Sequence, residues 1–227
     1  MPHTSHKWGK VLLLVVGAIL SALLLAAAWW SCVPIPLDEA IGFVAGAWCV
    51  WLAVKQNPWT WPIGITNNVA YVIVFWRARL YGGMALQGLY IAISLYGIYS
   101  WLRGGEQHTG RRVSHCSWKL GAALAVLAVP AVWRLTLYLR SINDAAPFPD
   151  ALTTVMSLAA QFLLARKHIE NWYVWIAADV IYIGLYLHRE LYLTALLYFI
   201  FLLMCLAGAR EWRSDLARPA AAEQATA

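Results

Sequence analysis

The chain has 227 residues, of which 62% are hydrophobic and 12% charged, with a mean hydropathy of +0.61. Soluble domains carry about twice that share of charge, so this composition excludes an ordinary soluble domain and indicates an integral membrane protein with length for seven or eight spans. The net charge of +6 does not indicate nucleic-acid binding, because the cations fall in short loops between apolar runs and not along one polar face.

Apolar runs between charged or Pro/Gly punctuation predict eight spans: Val11–Ser31, Asp38–Val54, Trp59–Trp76, Leu80–Leu102, Lys119–Leu139, Asp150–Ala165, Asn171–Leu187 and Leu191–Ala209. The first follows Lys7 and Lys10 and could be taken for a signal peptide. It is expected to stay as an uncleaved span, because its run of about 20 residues exceeds a usual signal core and ends in Trp29-Trp30 without a small-x-small cleavage site. The third and fourth runs meet at Arg77-Ala78-Arg79 and the last two at His188-Arg189-Glu190, which predicts two tight helical hairpins. The longest loops are Arg103–Trp118 and Arg140–Pro149, and the Ala-rich tail after Asp215 is expected to be disordered. Cys32, Cys49, Cys116 and Cys205 show no CxxC spacing, so neither a disulfide framework nor a zinc site is supported.

Counting Lys and Arg on alternating sides tests this parsing. One side collects Lys55, Arg103, Arg111, Arg112, Lys119, Arg166, Lys167, Arg210 and Arg213 with both termini, and the other Arg77, Arg79, Arg140 and Arg189, with Arg134 inside a span near that side. The positive-inside rule then makes both termini cytoplasmic, which requires an even number of spans.

Shifting the chain by 111 residues without a gap pairs Pro36 with Pro147, Lys55 with Arg166, Trp61 with Trp172, Asn68 with Asp179, Tyr71 with Tyr182, Gly97 with Gly208 and Trp101 with Trp212. The shift covers four spans, so both copies face the same way. The expected architecture is all-α and polytopic: an N-terminal tail and extra span (1–37), a three-helix repeat (38–102), a loop and linker helix (103–148), a second three-helix repeat (149–212) and a tail (213–227). Transporters built from such repeats bind substrate at the repeat interface near the midplane.

The seventh predicted span carries Trp172, Trp175, Asp179, Tyr182 and Tyr186 at steps of three and four, which is one face of a helix. Asp179 lies two turns deeper than Trp172, near the middle of a hydrocarbon core about 30 Å thick, where a carboxylate costs several kcal/mol unless it is paired or wet. A pocket for a flat, cationic small molecule follows; an ion pair with Arg134 or a shared proton with Asn68 are the structural alternatives for the acid. The shifted counterpart of the stripe is Trp61, Gly64, Asn68, Tyr71 and Phe75, so two facing stripes could wall one cavity. Tryptophan faces stack on heterocycles and attract cations. The competing reading is an interfacial belt, since Trp59, Trp61, Trp76, Trp101, Trp118 and Trp212 also lie near span ends. Both stay open for Trp172, whereas Trp175, a turn deeper, favours the clamp.

Thr154, Ser157 and Gln161 share a face of the sixth span, and Gln87 and Tyr90 with Ser94 give the fourth span a similar polar line. Hydroxyls there can bond back to their own helix, but the amides suit a sugar or an amide ligand. The motifs HExxH, GxSxG and GxxxxGKS/T are absent, and the histidines lie in tails or loops. No catalytic residue, metal or cofactor is expected; an intramembrane enzyme would need a polar triad at one depth, and only Asp179 is so positioned.

The run Pro149-Asp150-x-Leu152-Thr153-Thr154-x-x-Ser157, followed by Arg166-Lys167-x-x-Glu170-Asn171-Trp172-x-x-Trp175-Ile176, resembles the PnuC family of vitamin transporters. Leu86-Gln87, Tyr81 and Tyr96-Gly97-Ile98-Tyr99-Ser100-Trp101 are similar too, and the resemblance covers about residues 38 to 212. It implies a fold like that of SWEET sugar carriers, in a bacterial inner membrane, and facilitated uptake of nicotinamide riboside without ATP or ion coupling. It also implies trapping of the riboside by intracellular phosphorylation. The family's WxxW pair carries over to Trp172 and Trp175 and its polar positions to Asn67, Gln87 and Gln161. Some relatives have Asn at the position of Asp179, and relatives adapted to thiamine, riboflavin or deoxynucleosides leave the substrate open, with thiamine the other cationic candidate. The partners expected are thus a vitamin and the lipid bilayer, with a homo-oligomer compatible.

Overall fold

Long apolar runs leave the backbone no partner in lipid but itself, so each run becomes a helix. A computed structural model describes residues 5–30, 37–77, 81–104, 110–190 and 192–224. Among these residues there are eight helices: α1 Ser5–Trp29, α2 Leu37–Val54, α3 Thr60–Arg77, α4 Tyr81–Arg103, α5 Trp118–Ser141, α6 Pro147–Ala165, α7 Glu170–His188 and α8 Tyr192–Gln224. Among the described residues, four stretches are long and apolar enough to cross a membrane: Gly82–Arg103, Trp118–Ser141, Pro147–Ala165 and Thr194–Ala217. α3 and α7, at 18 and 19 residues, also have the length to span.

The ends of α2 to α7 lie within one turn of the expected ones. α1 and α8 are longer than expected, because apolar runs report where lipid ends and not where helices do. Residues beyond Asp215, expected to be disordered, continue α8 to Gln224, in keeping with the helix propensity of their Ala, Glu and Gln. The Ala78-Arg79 corner of the first hairpin, Leu80, Leu191, Cys32 and Pro36 lie outside the described residues, as do the side chains of Phe75 and Tyr81.

The chain divides into two compact units, Met1–Trp48 and Cys49–Ala227. In the first, the Ser21 hydroxyl donates to Gly17 O at 2.8 Å and accepts the Trp48 indole N–H at 3.1 Å, which ties α1 to α2. In the second, α3 packs on α4, α4 on α6, α6 on both α5 and α7, and α7 on α8. α5 begins at Ser117, whose hydroxyl accepts the Leu120 N–H, and leaves Val126, Leu127, Val129 and Trp133 exposed, as suits a helix facing lipid.

The 111-residue shift is visible in the backbone. Applied to α2, α3 and α4 it gives 148–165, 171–188 and 192–214, which start within one residue of α6, α7 and α8. The corners after α2 and α6 also match. Gln56 and Lys167 take left-handed φ of 52° and 53°, and the next amides, Asn57 and His168, donate back to Leu52 O and Leu163 O, closing both helices with the same six-residue cap.

Candidate functional site

α7 turns its stripe inward. Trp172 and Asp179 are buried and Trp175, Tyr182 and Tyr186 half-buried, while Tyr173, Ala177, Val180, Gly184 and Leu187 on the opposite face are exposed. The helical period does this: Trp172, Trp175, Asp179, Tyr182 and Tyr186 share one side, and apart from Tyr173 the other is left to aliphatic residues and glycine.

Around the acid the walls come from α8. Asp179 is 4% exposed, and the Cys205 thiol donates to its Oδ2 at 3.5 Å. Among the described residues this is the one donor to Asp179, and it leaves most of the acceptor capacity of a carboxylate unused. Next to it stands a patch of rings: Tyr198 lies 4.5 Å from Tyr182 and 5.2 Å from Tyr186, with Phe201 edge-on at 5.9 Å. Tyr182 also approaches Thr153 and Ser157 of α6, and Ser157 is approached in turn by Tyr90 of α4. A line of hydroxyls therefore runs from α4 through α6 to Tyr182 on α7, one helical turn along from the acid. Arg134, the alternative partner for Asp179, stands exposed on α5 instead.

Toward the end that carries Lys55, Arg103, Lys119 and Arg166 the helices close on four indoles. Trp61 meets Trp101 edge-on at 5.3 Å and 87°, and Trp172 meets Trp212 edge-on at 5.4 Å and 88°. Trp101 and Trp212 touch at 6.1 Å and join the pairs. Gly97 and Gly208 are the notches that admit the inner rings: a Cβ on either would stand 2.6 Å from an indole carbon. Trp101 Nε1 donates to Leu164 O at 3.1 Å, and Trp212 Nε1 to Ala53 O and Val54 O at 3.2 Å. These bonds are related by the same shift of 111, so each half of the chain caps the first helix of the other. The belt reading therefore does not describe Trp61, Trp101, Trp172 or Trp212, all of which are buried in the core.

A loop covers this end. Ser114 N–H donates to Lys167 O and Ile169 N–H to Ser114 O, both at 3.0 Å, and Ser114 Oγ meets His168 Nδ1 at 3.1 Å. Glu170 accepts from His115 and from the Cys116 amide at 2.9 and 2.8 Å. Burial alone would push the Glu170 carboxyl up, but the His115 and amide hydrogen bonds outweigh it and hold it below the usual carboxylate value. Burial, with help from the Arg166 charge, pulls His168 below the ordinary imidazole value. Burial also lowers Lys167, against the opposing pull of Asp215, and its ammonium lies 4.7 Å over the Trp101 ring.

The expected site residues thus fall into three groups. Tyr90, Ser157 and Tyr182 come together, Asp179 stands one turn away on α7 against Cys205, and Trp175 packs on the indole cluster. Trp172 is 2% exposed and sits inside that cluster, where its ring is fully occupied by Trp212 and Gly208. Asn67, Asn68, Gln87, Thr154 and Gln161 are half-buried, and Tyr71 is 37% exposed. The residues missed at first were Tyr198 and Cys205. The repeat carries the signal for both, since Gln87 and Ser94, already singled out, shift onto Tyr198 and Cys205.

A family model described as nicotinamide mononucleotide transporter matches residues 37–214. The chain is 28% identical to the nicotinamide riboside transporter PnuC of Escherichia coli (strain K12), with 77% of this chain and 84% of that protein covered. It is 27% identical, at the same coverage, to the riboflavin/roseoflavin transporter RibM of Streptomyces davaonensis. Among solved structures, the crystal structure of the vitamin B3 transporter PnuC has the same fold, with a TM-score of 0.65 at 21% identity over 89% of this chain and 92% of that one. The chain is an all-α, polytopic membrane protein, and it belongs to the nicotinamide mononucleotide transporter family, that of the PnuC vitamin transporters.

Proposed function

We propose that this protein carries nicotinamide riboside across the membrane by facilitated diffusion, through a site centred on Asp179 between two like-oriented three-helix repeats joined by α5. The observation that carries this reading is the buried carboxylate with spare acceptor capacity beside the rings of Tyr182, Tyr186 and Tyr198. A pyridinium is flat and cationic. It would gain from ring faces and from a carboxylate that the low-dielectric interior screens little. The riboside hydroxyls suit the Tyr90, Ser157 and Thr153 line, and the carboxamide suits Gln87 or Gln161. Both termini are read as cytoplasmic, and phosphorylation inside the cell would make uptake irreversible without energy coupling in the carrier.

The alternative substrates are thiamine, whose thiazolium satisfies the same carboxylate, and riboflavin, which the likeness to RibM favours. Asp179 argues against riboflavin, because a neutral isoalloxazine leaves the acid unpaired. Uptake of labelled nicotinamide riboside into proteoliposomes holding only this protein, with unlabelled thiamine and riboflavin as competitors, decides among them. The reading predicts lumenal accumulation of unchanged riboside up to the outside concentration. A chemically altered product would indicate an enzyme, binding without accumulation a receptor, and stronger competition by riboflavin than by thiamine would remove the role given to the acid.

A further inference from the structure

We infer that Trp101 and Trp212 are the paired gating residues at the basic end of the carrier, an inference that rests on the transport reading. Two kinds of contact meet at the four indoles. Within each half the packing is rigid: Trp61 fills the notch at Gly97 and Trp172 the notch at Gly208, with backbone beneath the ring and no room to slide. Between halves, the Trp101 N–H reaches Leu164 O, the Trp212 N–H reaches Ala53 O and Val54 O, and the two outer rings touch. If the halves rock as bodies, the second kind must break while the first survives.

The chemistry of the acceptors makes these contacts breakable. Leu164, Ala53 and Val54 lie in the last turns of α6 and α2, and Leu164 O and Ala53 O already accept the Lys167 and Gln56 amides at 2.9 and 3.0 Å, so losing the indole leaves neither without a partner. Opening therefore exchanges each indole bond for water at small net loss. The closed form also holds a cost of its own, because the buried Trp61 and Trp172 indole N–H groups have no acceptor among the described residues. A weak tie on one side and an unsatisfied donor on the other are what a two-state gate needs.

The native Cys205 thiol, buried beside Asp179 on the far side of the indoles, reports the opening. The experiment replaces Cys32, Cys49 and Cys116 by Ser and labels Cys205 with a membrane-impermeant maleimide from either face of oriented vesicles. Trp101→Phe and Trp212→Phe keep a ring and delete the N–H. Each is expected to raise the labelling rate from the basic face about two- to tenfold and to lower it from the opposite face. Labelling that is unchanged, or raised equally from both faces as general loosening would do, overturns the proposal. Should neither variant fold, Lys55→Gln takes their place: it loosens the same joint at the Lys55–Glu211 ion pair and must shift labelling in the same opposed manner. Labelling needs no substrate. An opposed shift without vitamin uptake would remove the transport reading alone, and uptake without the shift would remove the gate alone.

Discussion

Replacing Gly97 or Gly208 by Ala tests the packing on which both the fold and the gate depend. The added carbon would stand 2.6 Å from Cε2 and Cζ2 of Trp61 or of Trp172, against 3.4 Å or more for ordinary contact, so something must move by about 0.8 Å. Neither ring can yield easily: Trp61 and Trp172 are 1% and 2% exposed and already edge-on to Trp101 and Trp212. Overpacking of this kind costs about 1 to 3 kcal/mol, and the clash with several ring atoms argues for the upper part of that range. Ala gains about 1 kcal/mol over Gly as a helix former, which leaves a net loss of about 1 to 2 kcal/mol. For a chain of this size that lowers the melting temperature by about 2 to 8 °C. Gly184→Ala is the reference, since nothing lies within 4 Å of its added carbon, and it should melt at or slightly above the parent. Thermal unfolding of the purified proteins in one detergent, followed by tryptophan fluorescence, gives the comparison. Trp172→Phe, placed in the Gly208→Ala background, should recover part of the loss by removing the offending ring. If Gly97→Ala and Gly208→Ala melt with Gly184→Ala, the notches are not tight and the rigid half of the gate argument fails.

Trp175→Ala should weaken nicotinamide riboside binding by about 1 to 3 kcal/mol in a protein that still folds, as read by calorimetry; unchanged affinity would assign the ring to packing against the indole cluster. Asp179→Asn should reduce affinity for cationic vitamins far more than for a neutral isostere of the riboside, and equal losses would make the carboxylate structural. The loop over the basic end should loosen with acid. His168 titrates below the ordinary imidazole value when the loop is docked, so protonation favours release: the contact is fully present above about pH 6.5 and weakens as pH falls through the docked value. Glu170 acts in the same direction in a lower window, its contribution present above the ordinary carboxylate value and lost as pH falls through its depressed one. Hydrogen exchange at the Ser114 and Ile169 amides, corrected for intrinsic rates, should show protection falling between pH 7 and 5.5 in the parent and staying level in His168→Gln. A parent whose protection is flat over that range would exclude the histidine as the sensitive group.

The sequence carried the position of each residue along its helix well and its lateral direction poorly. Charge and hydropathy locate a residue along the membrane normal, which is why the helix ends and the inward stripe of α7 were legible. They say nothing about which neighbour a residue at that depth will meet. Trp101 and Trp212 look like belt residues by depth, and only the packing of α4 on α6 and of α8 on α7 turns them into core. The partner of Asp179 was hidden for the same reason, because Cys205 is a small residue in an apolar run with no pattern of its own. The repeat could have supplied the missing direction. A residue that is polar in one copy, such as Ser94 or Gln87, marks an inward position in the other even where the side chain there is Cys205 or Tyr198.

The repeat also shows where symmetry ends, and the departures bear on how such a carrier could move. At the joint of α8 with α2, the Trp212 bond is flanked by the Lys55–Glu211 ion pair and by Gln56 donating to Asp215. At the joint of α4 with α6 the equivalent positions lack those acids. The Lys167 ammonium lies over Trp101 instead, and the 111–116 loop is stitched to residues 166–170 by Ser114, His115, Cys116 and Arg111. One joint is thus held by an exposed ion pair and a side-chain hydrogen bond, the first of which water and salt weaken at little cost. The other is held by a cation over a ring and a backbone ladder that must undock as a unit. Two equivalent tryptophan bonds set between unequal braces would not release together; the α8–α2 joint should yield first and the loop-braced joint second.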